Sequence, residues 1–172
     1  VLQVVSKPVT SAYAASIGST ETVPTGMFQT ITTTTNSSKV LVFVNMTLIV
    51  DTSYNGSQWK LRRNSGTDNV TVSGSSNIFV GDAVGSRDQA TMAMQGPTKD
   101  SNHLNGYSCG TQFLDTPGNA GAYTYFVAFR DTVAGDNFFY LNRGFNDSDN
   151  QEQPRSTSSM TLIEVAAWVT MI

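Results

Sequence analysis

The chain has 172 residues and a formal net charge of −3, which argues against nucleic-acid binding because such proteins present a basic surface to the phosphates. Only 13% of its residues are charged, roughly half the usual share, and no apolar run is long enough to cross a membrane as a helix. The length predicts a single domain spanning residues 1–172.

Apolar side chains recur at every second position along most of the chain, which is the periodicity of half-buried β-strands. Gly, Pro, Asn and Asp interrupt this pattern at short and fairly even intervals, as expected for turns between strands. The predicted strands span residues 1–5, 27–33, 39–50, 57–63, 69–73, 77–80, 90–95, 107–114, 122–130, 136–143 and 160–169.

Several of these strands carry more specific expectations. The first should end at Pro8, which lacks a backbone N–H. The strand over 39–50 is apolar on one face and on most of the other, so we expect it to be central and covered on both sides. Asn55 and Gly56 favour a tight hairpin turn before the next strand, and the strand over 136–143 is the expected partner of 122–130.

This pattern predicts an all-β fold, an antiparallel β-sandwich of the jelly-roll type. No exact internal repeat is present, which disfavours solenoids and propellers. Long polar loops in such a fold usually carry function. The loops expected to be exposed span residues 51–57, 64–76, 81–105 and 146–158.

Two groups of charged residues lie within predicted strands. Lys60, Arg62 and Arg63 alternate with apolar neighbours, so we expect these cations to line the solvated face of their strand. Glu164 lies between two apolar residues of the last strand, and a buried carboxylate is costly unless it is paired. We therefore expect Glu164 to contact Arg62, Arg143 or a neighbouring subunit.

No combination of residues predicts catalysis. Cys109 is the only cysteine and His103 the only histidine, and Cys109 is expected to be a small core residue, without an intrachain disulfide. The acidic residues of the 81–105 and 146–158 loops do not have EF-hand spacing, so we interpret them as solvated carboxylates. The sequence predicts a non-enzymatic protein with no metal or cofactor.

Short segments in a shared order resemble the C-terminal β domain of tail-fibre and head-fibre proteins of marine bacteriophages. The resemblance covers nearly the whole chain, although residues 68–105 have no counterpart and 166–172 extend past the usual end. The matching segments are VLQVVS at 1–6, GMFQTIT at 26–32, KVLV at 39–42, WKLRR at 59–63, FLDTP at 113–117, YTY at 123–125, LNR at 141–143 and the strand within 156–165.

The resemblance implies a virion component displayed on the particle surface as a homotrimer, with no catalytic residue. Such a protein binds a host-surface glycan or protein, or another virion protein of the capsid or tail, and it neither binds nucleic acid nor inserts into a membrane. Weak single contacts would be offset by avidity. The loop residues that we predict to make these contacts are Tyr54, Asn55, Arg87, Asp88, His103, Tyr107, Asp147 and Asp149.

Two alternatives remain open at the level of sequence. The first is a capsid decoration or cement protein that braces the shell and meets no receptor. The second is a depolymerase that cleaves surface polysaccharide with a pair of carboxylates. The absence of stacked repeats disfavours the second, because depolymerase tailspikes generally resemble long parallel β-helices.

Overall fold

The computed structural model describes residues 1–51, 57–94, 107–132, 137–145, 147, 149, 151 and 154–167. None of these residues is helical, so the predicted all-β class is confirmed. The strands of the described chain are β1 (Gln3–Val9), β2 (Tyr13–Ile17), β3 (Phe28–Thr33), β4 (Lys39–Asp51), β5 (Ser57–Ser65), β6 (Ser76–Phe79), β7 (Met92–Met94), β8 (Tyr107–Asp115), β9 (Gly121–Asp131), β10 (Asn137–Leu141) and β11 (Ser158–Val165).

These strands form two antiparallel sheets. In the first sheet β4 lies in the middle: β11 and β10 pair with successive halves of one edge of β4, and β8 pairs with the other edge. Strands β1 and β2 continue this sheet beyond β11 and β10. The second sheet has the order β3-β9-β5, and β6 and β7 pair with successive parts of the remaining edge of β5.

One apolar core joins the inner faces of the two sheets. Alternate residues of β4 and β9 are fully or almost fully buried, and the ring of Phe129 from the second sheet stacks on Phe139 from the first at 4.3 Å between centroids. Trp59 of β5 is also completely buried. Burying each such aromatic side chain contributes about 2–3 kcal/mol, so the period-two pattern holds the sheets together.

Several strand assignments differ from those expected. Strand β1 continues through Pro8 to Val9, because it is an edge strand and a proline there removes no ladder hydrogen bond. Residues 69–73 form a turn instead of a strand, and backbone oxygens of Asn69 and Thr71 accept hydrogen bonds from the Asn64 side chain. Strand β2 was not predicted, since its alanines give little apolar contrast.

Two expected pairings are wrong. Strands β4 and β5 lie in different sheets and do not pair as a hairpin, and the predicted turn residues Asn55 and Gly56 lie outside the described residues. Strand β10 pairs with β2 and β4 and not with β9. Strands β9 and β10 are both apolar at alternate positions. They lie in different sheets, however, and face each other across the core.

Along the first half of β4, one face of the strand is covered and the other is open. Val40, Val42 and Val44 are buried against the second sheet, whereas Phe43 is exposed and Leu41 is only partly covered on the opposite face. The expectation that both faces of β4 are covered is therefore wrong for this half. An apolar face of the first sheet remains open.

Asn142, which follows β10, makes hydrogen bonds to several segments of the first sheet. Its Nδ2 donates to the carbonyl oxygens of Val9 (2.6 Å) and Ser11 (3.1 Å), between β1 and β2. Its Oδ1 accepts a 2.6 Å hydrogen bond from Ser158 at the start of β11, and its backbone N–H donates to Thr47 in the middle of β4. Through its side chain and its backbone N–H, Asn142 thereby connects β1, the segment between β1 and β2, β11 and β4.

Candidate functional site

Seven strand ends lie at one end of the two sheets, which we call the loop end. The pairs Asn137 with Ile17, Phe138 with Asp51, and Ser57 with Asp131 fix this alignment in the strand register. The connections 52–56, 95–106 and 133–136, which lie outside the described residues, all begin and end here. The strand ends that define the loop end are Ile17, Asp51, Ser57, Met94, Tyr107, Asp131 and Asn137.

The opposite end, which we call the base, carries the outer ends of the first and last strands. Gln3 pairs with Glu164, and Val165 pairs with Lys39, so β1 begins where β11 ends. The turn 116–120 and the connection 34–38 also lie at the base. The two ends of the molecule therefore differ: β1 begins and β11 ends at the base, whereas the connections 52–56, 95–106 and 133–136 join strand ends at the loop end, and we call this difference the polarity of the molecule.

The predicted contact residues divide into those that the structure describes and those that it does not. Tyr54, Asn55 and His103 lie outside the described residues. Tyr107 begins β8 at the loop end with 56% of its surface exposed. An exposed aromatic side chain at this end is suited to contact with a glycan or a protein surface.

Arg87 and Asp88 lie on the outer side of the second sheet. Asp88 accepts a 2.8 Å hydrogen bond from Gln58 of β5 and forms a 3.1 Å ion pair with Arg130 of β9. Arg87 is exposed in a turn closed by its backbone N–H to Val84. Asp88 therefore attaches its loop to the sheet, and Arg87 is the freer of the two for an external contact.

Asp147 and Asp149 lie on the opposite side of the molecule, beyond β10. Asp147 forms ion pairs with Arg143 (3.3 Å) and Arg155 (2.5 Å). Arg143 in turn lies over the ring of Tyr140, 5.2 Å from its centroid, on the outer face of the first sheet. The structure thus places Asp88 and Asp147 on opposite outer faces and does not bring the predicted contact residues into one site.

The cations of β5 are buried, contrary to the expectation that they line a solvated face. Lys60 and Arg62 are covered by the connection between β2 and β3, where Glu21 accepts two 2.6 Å hydrogen bonds from Arg62 and lies 3.2 Å from Lys60. Burial alone would raise the pKa of Glu21, but the hydrogen bonds and charges of Arg62 and then Lys60 hold it below its usual value. Glu21 had no recognisable signal in the sequence, because it lies in a loop far from β5.

Arg63 follows Arg62 directly and points to the other face of β5. It forms an ion pair with Asp115 at the end of β8, and the Tyr125 hydroxyl donates to the same carboxylate at 2.8 Å. Burial, followed by the negative charge of Asp115, raises the pKa of Tyr125. This arrangement keeps the phenol protonated and ties β5, β8 and β9 together near the base.

Glu164 is fully buried, as expected, but its partners are neutral. The backbone N–H and the hydroxyl of Thr34 donate to Oε1 at 2.6 and 2.8 Å, and Gln3 donates to Oε2 at 2.6 Å. Burial alone would raise the pKa of Glu164, but hydrogen bonds from Ser38, Thr34 and Gln3 lower it to about 2. The expected partners Arg62 and Arg143 bind Glu21 and Asp147 instead.

The described residues show little preparation for catalysis or metal binding. Burial raises the pKa of Cys109 to about 11, so the thiol stays protonated near neutral pH, which works against a nucleophilic role. Within the described ranges, no three His, Cys, Asp or Glu side chains are grouped to hold a metal ion. The same ranges contain no helix that could span a membrane.

No family model matches the chain, and comparison with curated proteins finds no match. The resemblance to phage fibre domains thus stays a prediction from the sequence.

Proposed function

We propose that this chain is a non-enzymatic surface protein of a bacteriophage particle, the trimeric tip of a fibre or a head-fibre domain. It binds a host-surface glycan or protein, or another virion protein, through its loop end. The observation that carries the proposal is the polarity of the molecule. Three connections, 52–56, 95–106 and 133–136, lie together at the end opposite the base, and connecting loops grouped on a rigid scaffold suit recognition.

We further propose that the two sheets form a jelly-roll sandwich. The order β2-β10-β4-β8 in one sheet and β3-β9-β5-β6 in the other supports this assignment, because a jelly roll interleaves two Greek keys in two four-stranded sheets. Four connections cross between the sheets at the loop end: those after β2, β4, β7 and β9. Viral capsid and lectin domains use this architecture.

The partners of the buried carboxylates favour a binding function over cleavage of a polysaccharide. A polysaccharide-cleaving enzyme needs two carboxyl groups that face the sugar. Among the described residues, the buried carboxylates are engaged by hydrogen bonds or ion pairs within the chain: Glu21 by Arg62, Asp115 by Arg63, Asp131 by Ser57 and Glu164 by Thr34. Their role in the described part of the chain is to fix loops and strands in place.

An averaged image of the intact phage particle tests the proposal. We expect density for this chain at the distal end of a tail fibre or head fibre, with the base toward the particle and the loop end outward. Density lying flat at capsid vertices or hexamer centres would instead identify a decoration protein. Absence of the chain from purified particles would refute both assignments.

A further inference from the structure

The outer face of the first sheet carries an open apolar surface across four strands, which we call the apolar sheet face. Val4, Ile163, Leu41 and Leu114 stand side by side in the register of β1, β11, β4 and β8. The residues of this face are Leu2, Val4, Ser6, Pro8, Ser159, Thr161, Ile163, Val165, Lys39, Leu41, Phe43, Asn45, Gly110, Gln112 and Leu114.

Apolar side chains of this face are exposed, and no segment among the described residues packs over them. Val4 is 56% and Leu114 46% exposed, with Leu2 and Phe43 also exposed beside them. By contrast, Phe145 packs edge-on against Tyr140 at the β2–β10 end of the same sheet. On the outer face of the second sheet, the loop residues Glu21 and Asp88 bind side chains of β5 and β9. Exposed apolar patches of this kind mark interaction surfaces in soluble proteins.

The face can be buried at low electrostatic cost. Lys39, at its border, is the one charged residue among the face residues named above. Ser6 and Thr161 satisfy each other through a 2.7 Å hydrogen bond between their hydroxyls, within the plane of the face. A partner would therefore meet apolar side chains and few polar groups that need new hydrogen bonds.

The size of the face is also informative. Four strands about 4.8 Å apart and about seven residues long give a planar area of roughly 500 Å². A stable protein interface buries about 800 Å² on each partner, so the face with its rims supplies most of what one interface requires.

We infer that copies of this chain pack on one another through the apolar sheet face, with the face of each copy turned toward a common threefold axis so that it meets both neighbours. Identical, nearly uncharged faces meet without repulsion, and symmetric assembly brings the same residues together at the axis. At β1, pairing of strands edge to edge is disfavoured, because Pro8 offers no N–H and Lys7 adds a charge beside it. The inference deepens the trimer part of the proposed function and rests on it.

Single charged substitutions on two different strands test the inference. Val4→Lys and Leu114→Lys each place a charge in the contact, and we expect at least a tenfold increase in the concentration at which the assembly is half dissociated, measured by sedimentation. Val84→Lys is the matched control, since Val84 is 47% exposed in a loop away from the face, and it should leave assembly unchanged. Circular dichroism checks the fold of each variant, and Val4→Thr, which favours a strand, replaces any variant that does not fold.

The outcomes separate the two proposals. A trimeric wild type with dissociated face variants supports both the trimer and the face. A trimeric wild type whose face variants stay trimeric overturns the apolar sheet face and leaves the trimer standing. A wild type that is monomeric at all concentrations overturns both, while display at a fibre tip remains open to the particle image.

Discussion

Single polar side chains fix the positions of whole strands in this molecule. Asn142 and Glu164 are both completely buried, and each makes several hydrogen bonds to segments distant in sequence. A buried polar group with all its partners present is tolerated, whereas one that loses a partner is costly. These two residues are therefore the most sensitive points of the first sheet.

We expect Asn142→Ala to lower the free energy of unfolding by about 3 kcal/mol. The carbonyl oxygen of Val9 and the hydroxyl of Ser158 would lose a partner in the interior, and alanine would have to adopt the φ of 60° that Asn142 has. Urea denaturation measures the loss. Asn142→Gly is the control. It lacks the same hydrogen bonds as the alanine variant but adopts this φ without strain, so it should be only about 1 kcal/mol more stable than Asn142→Ala. A loss below about 1 kcal/mol for the alanine variant would contradict the bridging role.

Glu164 should make stability depend on acid. Its folded pKa of about 2 lies below its usual value of 4.5, so its contribution is complete above pH 4.5 and is lost as the pH falls toward 2. The shift corresponds to about 3 kcal/mol. Glu164→Gln should be less stable than the wild type at pH 7, and the difference should shrink in acid.

Unfolding curves at pH 7, 4 and 3 test this dependence. Asp82→Asn is the control, since Asp82 is an exposed carboxylate in a loop, and its effect on stability should be small. If the difference between wild type and Glu164→Gln stayed constant down to pH 3, the hydrogen bonds to Glu164 would not be stabilising its charged form.

At the scale of elements, the sequence indicates where strands lie better than how they pair. The alternation along 39–50 and 122–130 located β4 and β9 closely, because side-chain direction has a period of two in any strand. The same alternation cannot select a neighbour, so the partner expected for β10 was wrong. The burial of Lys60 and Arg62 was not predicted for a related reason. Both are covered by the loop of Glu21, which is distant from them in the sequence.

The second sheet depends on the ion pairs between Glu21 and β5. We expect Glu21→Gln to destabilise the protein by about 3 kcal/mol, because it leaves two buried cations without a counter-charge. The double variant Glu21→Gln with Arg62→Met should recover part of this loss, since only Lys60 then lacks its partner. A double-mutant cycle in urea measures the coupling, and additive losses would argue that Glu21 and Arg62 act independently.

At the scale of the whole molecule, the loop end and the base have different tasks in the proposed function. A short epitope inserted in the connection between Asp131 and Asn137 should abolish binding to host cells while the protein stays folded. The same epitope inserted at Gly118, in the turn at the base, should leave binding intact. Flow cytometry with the labelled protein compares the two, and loss of binding only for the insertion at the base would reverse the assigned polarity.

The course of β1 through Pro8 has a consequence for self-association at this edge of the first sheet. An edge strand with unpaired backbone N–H groups can pair with strands of other chains, which leads to aggregation. Pro8 has no backbone N–H to donate, and Lys7 beside it adds a charge to the same edge strand. Addition of a further strand at the outer edge of β1 is therefore disfavoured.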